Sequence, residues 1–390
     1  MNRFYSFLFA AVLILAGGGA ARAQNAAWAR AFPNARVLFG QPRQMATDAA
    51  GHSYLTGFFT GTLVLGTDTL READTSAPGR RADVFLAKYD AQGEVMWAKA
   101  IASPGGDTAL AVAVDGSGNV LVAGSSAAGL TVGTTVLPNA TCWLARFSGA
   151  GAPQWVTALF PSNAHEPMIT ALAADTAGNC YLAASSHDMQ AVGTHALTHT
   201  SGGIALVARI DGAGMVSGVQ EFAGRVRIYD LAVSGQGTLF CTGGAWNQVV
   251  FGPQPSHILT GPDSAVVFVA KISAALQTEW VRAGRAYPGR GISIGTTLTA
   301  DAAGNCYLAG WCLGGMRLSV GVYTTKSGIF FAKYDDQGNV QWFREQEGSQ
   351  SGFTYPSVMT TDGSGNVYTA GFYQNPGLRF GSYALSAGIS

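Results

Sequence analysis

The string "DGSGNVLVAG" begins at Asp115, and close copies follow as "DAAGNCYLAG" from Asp301 and "DGSGNVYTAG" from Asp362. A phrase repeated with its glycines in register restricts the fold sharply, because self-similarity at a fixed period marks a repeat architecture. Its first position falls at Asp48, Asp115, Asp175, Ser234, Asp301 and Asp362, spaced by about 60 to 67 residues. That is longer than the helical and leucine-rich repeats and longer than a WD-type blade. A second phrase lies between successive copies: "DVFLAKYDAQGEVMWAK" from Asp83, "CWLARFSGAGAPQWV" from Cys142, "VFVAKISAALQTEWV" from Val267 and "FFAKYDDQGNVQWF" from Phe330. The third copy, "ALVARIDGAGMVSGV" from Ala205, has no Trp.

Each phrase reads as a hairpin. β-prone runs such as "ALAVAV" and "VLVAG" flank a turn that contains Gly. An Asp opening that turn can accept hydrogen bonds from backbone N–H groups further along. Gly118 can take a positive φ without steric cost, and Asn119 tolerates one better than most residues. Asp48, Asp115, Asp175, Asp301 and Asp362 are therefore assigned to turn closure. A calcium loop would gather several carboxylates, and each copy offers one. In unit four Ser234 replaces the Asp and Thr238 the Asn, so a looser turn is expected there.

Two hairpins per unit give four strands, and radial packing of such sheets buries both faces of each. The expectation is an all-β chain folded as a β-propeller of six four-stranded blades, with repeats starting near residues 41, 108, 168, 227, 294 and 355. Small residues in 109–114 and 170–174 suit a crowded inner strand. Trp97, Trp155, Trp280 and Trp342 are expected to wedge between blades. Trp28, in "NAAWARAF", matches a fourth strand that has no partners of its own, so the N-terminal strand is expected to close the ring. The last blade is expected to be incomplete, its third-strand slot empty or filled by 378–385, with the natural chain continuing.

Together, "AVDGSGNVLVAG" and "DVFLAKYDAQGEVMW" resemble the bacterial SBBP β-propeller repeat, over about residues 41 to 385. The resemblance implies a propeller and an exported bacterial protein. It carries no catalytic motif, and a type IX secretion sorting domain common in such proteins is not seen here.

Export has its own signal. Arg3, an apolar run from Phe4 to Ala16 and the small-x-small triplet Ala21-Arg22-Ala23 read as a signal peptide of residues 1–23, leaving one domain over 24–390. A membrane anchor fits less well, because the apolar run is short and ends in glycines. Secretion or display at the cell surface is expected, with no membrane span after cleavage. The formal net charge of zero gives no footprint for nucleic acid. Cys142, Cys180, Cys241, Cys306 and Cys312 are an odd set in a chain too large to need staples, and are read mainly as small buried hydrophobes.

The turns inside the hairpins are short and constant, and are expected on one face. The connections between hairpins and between units vary, and are expected as loops on the opposite face. Function tends to lie on such loops. Asp107, His165, Glu166, Arg225, Arg227, Tyr287, Arg290 and Tyr355 precede innermost strands there and are the ligand-binding candidates. His187, His195 and His199 are a weak zinc set, read as surface histidines without metal. No catalytic motif and no cofactor site is found. The function expected is non-catalytic binding or scaffolding by a monomer, with a glycan or a protein or peptide as partner. The alternatives are a propeller-fold polysaccharide lyase or hydrolase, and a structural spacer within a larger surface protein.

Overall fold

The computed structural model describes residues 13–15, 35–36, 45–73, 82–139, 142–160, 167–186, 189–198, 203–252, 257–260, 264–286, 291–319, 322–324, 327–345, 354–361, 366–373, 378–380 and 383–385. Among them every regular element is a β-strand, and every pairing is antiparallel. Hairpin follows hairpin. Sheet one holds Met45–Thr47, Ser53–Phe59, Asp83–Tyr89 and Val95–Ile101 in that order, with Ala35–Arg36 on the same edge as Met45–Thr47. Sheet two is Asp107–Val114, Val120–Ser126, Cys142–Phe147 and Pro153–Ala158. Sheet five is Ile292–Ala300, Cys306–Leu313, Gly328–Tyr334 and Val340–Glu345, and sheet six contains Thr354–Thr361 and Val367–Tyr373.

Sheets three and four are fused. Met168–Ala174, Cys180–Ser186 and Ile204–Ile210 lead into the 18-residue strand Val216–Val233. That strand serves first as the last strand of sheet three and then as the first of sheet four, where it pairs with the 13-residue strand Leu239–Phe251. Val266–Ile272 and Thr278–Ala283 complete sheet four.

Alternation along each strand sends successive side chains to opposite faces, and each face meets a neighbouring sheet. Val120, Val122 and Ala145 of sheet two pack with Tyr54, Val84 and Leu86 of sheet one. Leu121, Ala123 and Leu144, one residue out of step, pack with Leu172, Leu182 and Leu206 of sheet three. The same arrangement joins sheets three and four, four and five, and five and six. The first strands of consecutive sheets lie beside one another throughout the series. Each of five of them carries a bulge at the same place, skipping Leu110, Thr170, Tyr229, Thr296 and Ser357. A bulge strengthens local twist and bends the strand, so these five sheets bend in the same way where the first strands lie side by side.

The turns behave as their residues dictate. In the four Asp copies within the described residues, the carboxylate accepts the N–H groups two and four positions on, at 2.8–3.0 Å. Ser234 reaches the same two groups only at 3.3 Å. Asp362 lies outside the described residues.

Three expectations are corrected. The connections between hairpins are not simple loops. They fold into two-stranded ribbons, such as Thr62–Leu65 with Asp68–Arg71 and Leu130–Val132 with Thr135–Leu137. Gly66, Gly133 and Gly193 open their two-residue turns at φ +58°, +62° and +56°, as a type II′ turn requires. Secondly, "AGRVR" is not a loop between units but the middle of the strand Val216–Val233. Thirdly, among the described residues Leu378–Phe380 pairs only with Tyr383–Leu385, while Leu13–Leu15 occupies the edge of Val367–Tyr373. Trp28 lies outside the described residues.

The sheet boundaries share one lock. Trp97 Nε1 donates to the Gly149 carbonyl of sheet two at 3.1 Å, and Trp155 Nε1 to Gly212 of sheet three at 2.9 Å. Trp280 Nε1 donates to Asp336 of sheet five at 2.9 Å. The cation paired across the ladder from the Trp binds the same carbonyl: Lys88 at 3.1 Å, Arg146 at 3.0 Å and Lys271 at 3.4 Å. Each ring also lies on a glycine of the neighbouring turn. A Cβ added at Gly151, Gly214 or Gly338 would stand 3.0 Å from Trp97, Trp155 or Trp280.

The boundary between sheets three and four exchanges the parts. Gly218 stands in the Trp slot, opposite Arg209, and Leu276 stands in the turn-glycine slot at φ +59°. A Cβ added at Gly218 would be 3.0 Å from Leu276 Cδ1, so the leucine fills the space a tryptophan fills elsewhere. Arg209 still reaches the Ala274 carbonyl at 2.8 Å. Two single variants should therefore be harmful: Gly218→Trp by about 1–3 kcal/mol through overpacking, and Leu276→Gly by about 2–5 kcal/mol through loss of the buried side chain. The double variant rebuilds the standard lock and should be more stable in urea than the worse single variant. Simply additive losses would contradict the exchange.

Candidate functional site

The sequence-derived candidates separate on inspection. Asp107 opens the first strand of sheet two but does not face solvent, being only 2% exposed. It accepts the Ser103 hydroxyl at 2.8 Å and the Ser103 N–H at 2.7 Å. Burial pushes its carboxyl up to about 7, the Ser103 hydrogen bonds pull the other way, and the nearby Asp83 adds to the rise. The expectation that Asp107 is a loop residue open to a ligand is corrected on these grounds: desolvation and Ser103 make it a packed group.

His165, Glu166, Tyr287 and Arg290 lie outside the described residues. Tyr355 belongs to the strand Thr354–Thr361, opposite Phe372, and its side chain is outside the description. His195 is exposed in the short strand His195–Ala196, while His187 and His199 lie outside the described residues. Among the described residues no group of three His, Cys, Asp or Glu side chains could hold a metal ion. All five cysteines are buried. Burial raises the Cys312 thiol to about 11 and the Cys180, Cys241 and Cys306 thiols well above the usual range.

The turn carboxylates Asp48, Asp115, Asp175 and Asp301 spend both oxygens on the chain itself. Beyond the turn N–H groups, Asp115 pairs with Arg146, and Asp175 accepts Asn179 Nδ2 at 2.8 Å and the Tyr181 hydroxyl at 3.3 Å. Asp301 accepts Asn305 Nδ2 at 2.7 Å and Tyr307 at 3.0 Å. Burial would raise Asp48 and Asp301, but the hydrogen bonds from His52 and Asn305 outweigh it and hold both below the ordinary carboxylate value.

Arg225 and Arg227 remain, and the fused ribbon brings them together with a residue that sequence reading passed over. Arg225 pairs with Trp246 across the ladder, and Arg227 with Gly244. Alternation then puts all four on one face. The Trp246 ring lies over Gly244, where an added Cβ would meet it at 3.2 Å. The Arg225 guanidinium stands 5.3 Å from the ring centroid. Both arginines are exposed and Trp246 is half-buried, whereas Val226, Ile228 and Ala245 on the reverse face are buried. The backbone is distorted here. A bulge separates Gly224, at φ +116°, from Arg225, and Asn247 stands at φ +58°. Asn and Leu276 are the two non-glycine residues at positive φ among those described, and such distortions cluster where a side chain must be aimed. The sequence signal was present in "GGAWN": a Trp outside the recurrent Trp slot, as Trp143 and Trp311 also are.

An open depression of about 360 Å³ between sheets one and two is lined by Lys99, Ile101, Val132, Phe147, Ala152 and Pro153, among others. Lys99 is the one titratable side chain on that wall, which gives it no acid–base pair.

No protein-family model matches the chain, and no curated protein matches it. Among solved structures, a protein of unknown function from Bacteroides caccae aligns at 13% identity over 67% of this chain and 89% of its own, with a TM-score of 0.30. A member of the DUF4221 family from Bacteroides vulgatus aligns at 11% identity over 88% and 96%, with a TM-score of 0.34. A chain of a mitotic checkpoint complex aligns at 11% identity over 92% and 98%, with a TM-score of 0.38. At these TM-scores the likenesses carry no argument.

A pH test follows from Asp107. Its pKa in the folded chain, about 7, lies above the ordinary carboxylate value. Its favourable contribution is thus present below the unfolded pKa and is lost as pH rises toward 7. Between pH 5 and 8 the melting temperature of the native chain should fall relative to Asp107→Asn. A pH-independent difference between the two would rule this out.

Proposed function

We propose that this chain is an exported, non-catalytic β-propeller of the SBBP type that binds a glycan or peptide carrying an anionic group. Consecutive sheets packed face to face, with their bulged first strands side by side, support the propeller reading. The number six follows from the repeat phrases. The apolar segment with its small-x-small site supports export.

One observation carries the binding reading. Trp246 is held over Gly244 with Arg225 against its ring and Arg227 beside it, on an exposed face of a continuous ribbon. An aromatic surface suits the apolar face of a sugar or a side chain. Two guanidiniums offer forked donors that match a carboxylate or sulfate. Seating the residues on paired strands fixes them better than a loop would.

The test is a glycan and peptide array probed with the native chain, with Trp246→Ala and with Arg225→Ala/Arg227→Ala. The native chain should retain a defined anionic ligand. Each variant should lose at least tenfold in signal while its melting temperature stays within a few degrees. No retention by the native chain, or undiminished retention by both variants, rules the site out. Shortening of a retained polysaccharide would instead establish the lyase or hydrolase alternative.

A further inference from the structure

The ribbon that carries Arg225 and Arg227 holds an apolar seat as well as two charges. A side chain at Gly244 would begin 3.2 Å from Trp246 Cη2, 3.4 Å from its Cζ3 and 3.6 Å from Ile294 Cγ1. Ile294 belongs to the first strand of sheet five, which lies beside the first strand of sheet four. An indole edge and an aliphatic side chain from two sheets therefore meet over the one member of this face without a side chain. Both are half-buried, so each keeps an open surface.

The backbone does not require glycine at this position. Gly244 stands outside the left-handed region, in a regular stretch of ladder between Arg227 and Val267. Its neighbour Gly243 differs, because a Cβ there would run into the Arg227 carbonyl. Glycine inside a strand weakens it and often marks a place where another group approaches closely. At Gly244 the approaching group is the Trp246 ring, so the glycine sets where that ring lies.

The charges suit the same molecule. Arg225 stands 5.3 Å from the Trp246 centroid, and a guanidinium held against an indole gives up part of its freedom and its hydration. Its donors form a planar fork, whose best partner is a planar carboxylate taken by two parallel hydrogen bonds. Arg227 lies two residues on, about 7 Å along the same face, where it can serve a second acceptor. A free carboxylate would fill the fork and leave the seat bare. A neutral sugar would cover the seat and leave both cations unpaired. A uronic acid does both, because its pyranose ring has an apolar C–H face and its carboxylate projects from the ring edge.

We propose that the ligand is a uronic acid unit of an acidic glycan, seated on Trp246 and Ile294 with its carboxylate in the Arg225 fork. Gly244 and Ile294 are positioning residues of that seat. This names the ligand class of the binding site described above and rests on that reading.

The test is calorimetric titration of the native chain with tetragalacturonate, its methyl ester, a neutral galactan tetrasaccharide and a sulfated galactan tetrasaccharide. Tetragalacturonate should bind saturably, and the other three at least tenfold more weakly. Gly244→Ala should cost at least tenfold by displacing the indole, and Ile294→Ala at least threefold. Should either variant melt more than a few degrees early, Arg225→Lys takes its place, since it alters an exposed side chain. It keeps the charge and loses the fork, so tetragalacturonate should lose at least tenfold while the sulfated probe changes by less than twofold. No saturable binding of tetragalacturonate, equal binding of its methyl ester, or an unaltered affinity in Arg225→Lys overturns the proposal. The underlying reading fails separately. Retention of a sulfated glycan or an acidic peptide that Arg225→Ala/Arg227→Ala abolishes keeps the site and removes the uronate, whereas no retention of any anionic ligand removes both.

Discussion

The architecture depends on a single backbone carbonyl at three of the sheet boundaries, one to two, two to three and four to five. The carbonyl at the second position of a turn accepts two donors from the preceding sheet, an indole N–H and a cation held opposite it on the ladder. The cation makes this a charge-assisted hydrogen bond, which contributes more than one between neutral groups. The Trp and the Lys or Arg share that acceptor while the ring covers a glycine at positive φ, where an added Cβ would press on the indole at 3.0 Å. Lys88 and Lys271 are both only 7% exposed, so each cation is held in place by its partners. For Lys271, burial opposes the charge, but Asp336 and Glu279 outweigh it and raise its pKa. The cation also ties its own sheet: Arg146 joins the Asp115 turn to the Gly212 turn. Register within one sheet and docking of the next are thereby set by one side chain.

This concentrates structural duty on the face that carries the turns and relieves the other. The turn carboxylates, which by composition alone could pass for a ligand set, are committed to N–H, amide and hydroxyl donors of the chain. The opposite face is where the sequence varies and where the fused ribbon departs from the repeat. Fusing two sheets through one 18-residue strand removes a loop and substitutes a stiff platform, and Arg225, Arg227 and Trp246 sit on it. The exchange of Trp for Gly218 and of Gly for Leu276 falls in the same fused region, so the boundary keeps its packing although its chemistry differs.

Much of this was legible in the residues. Turn chemistry at Asp115 and Gly118 is local, and local rules suffice for it. The recurrence of the Trp slot showed that the residue packs between units. What the sequence hid was pairwise. The missing Trp in one copy and the Leu276 in the next are both visible as departures, but nothing in a linear reading joins them. The two-stranded ribbons between hairpins were missed because their strands run to four residues or fewer, too short for alternation to show. "AGRVR" resembled a loop because Gly224 interrupts it, yet there the glycine forms a bulge inside a strand. Asp107 looked like a ligand-facing carboxylate because nothing in the linear sequence shows that Ser103, four residues earlier, supplies both of its hydrogen-bond donors. Trp246 was overlooked because attention went to the recurrent Trp.

The claim that these locks couple one sheet to the next is tested most directly by native-state hydrogen exchange on Trp155→Gly. If the lock carries the coupling, amides of Ile204–Ile210 in sheet three should lose protection together with those of Cys142–Phe147 in sheet two, by a similar factor. If protection falls in Cys142–Phe147 alone and Ile204–Ile210 exchanges as in the native chain, the sheets are stable independently and the account of the boundary is wrong.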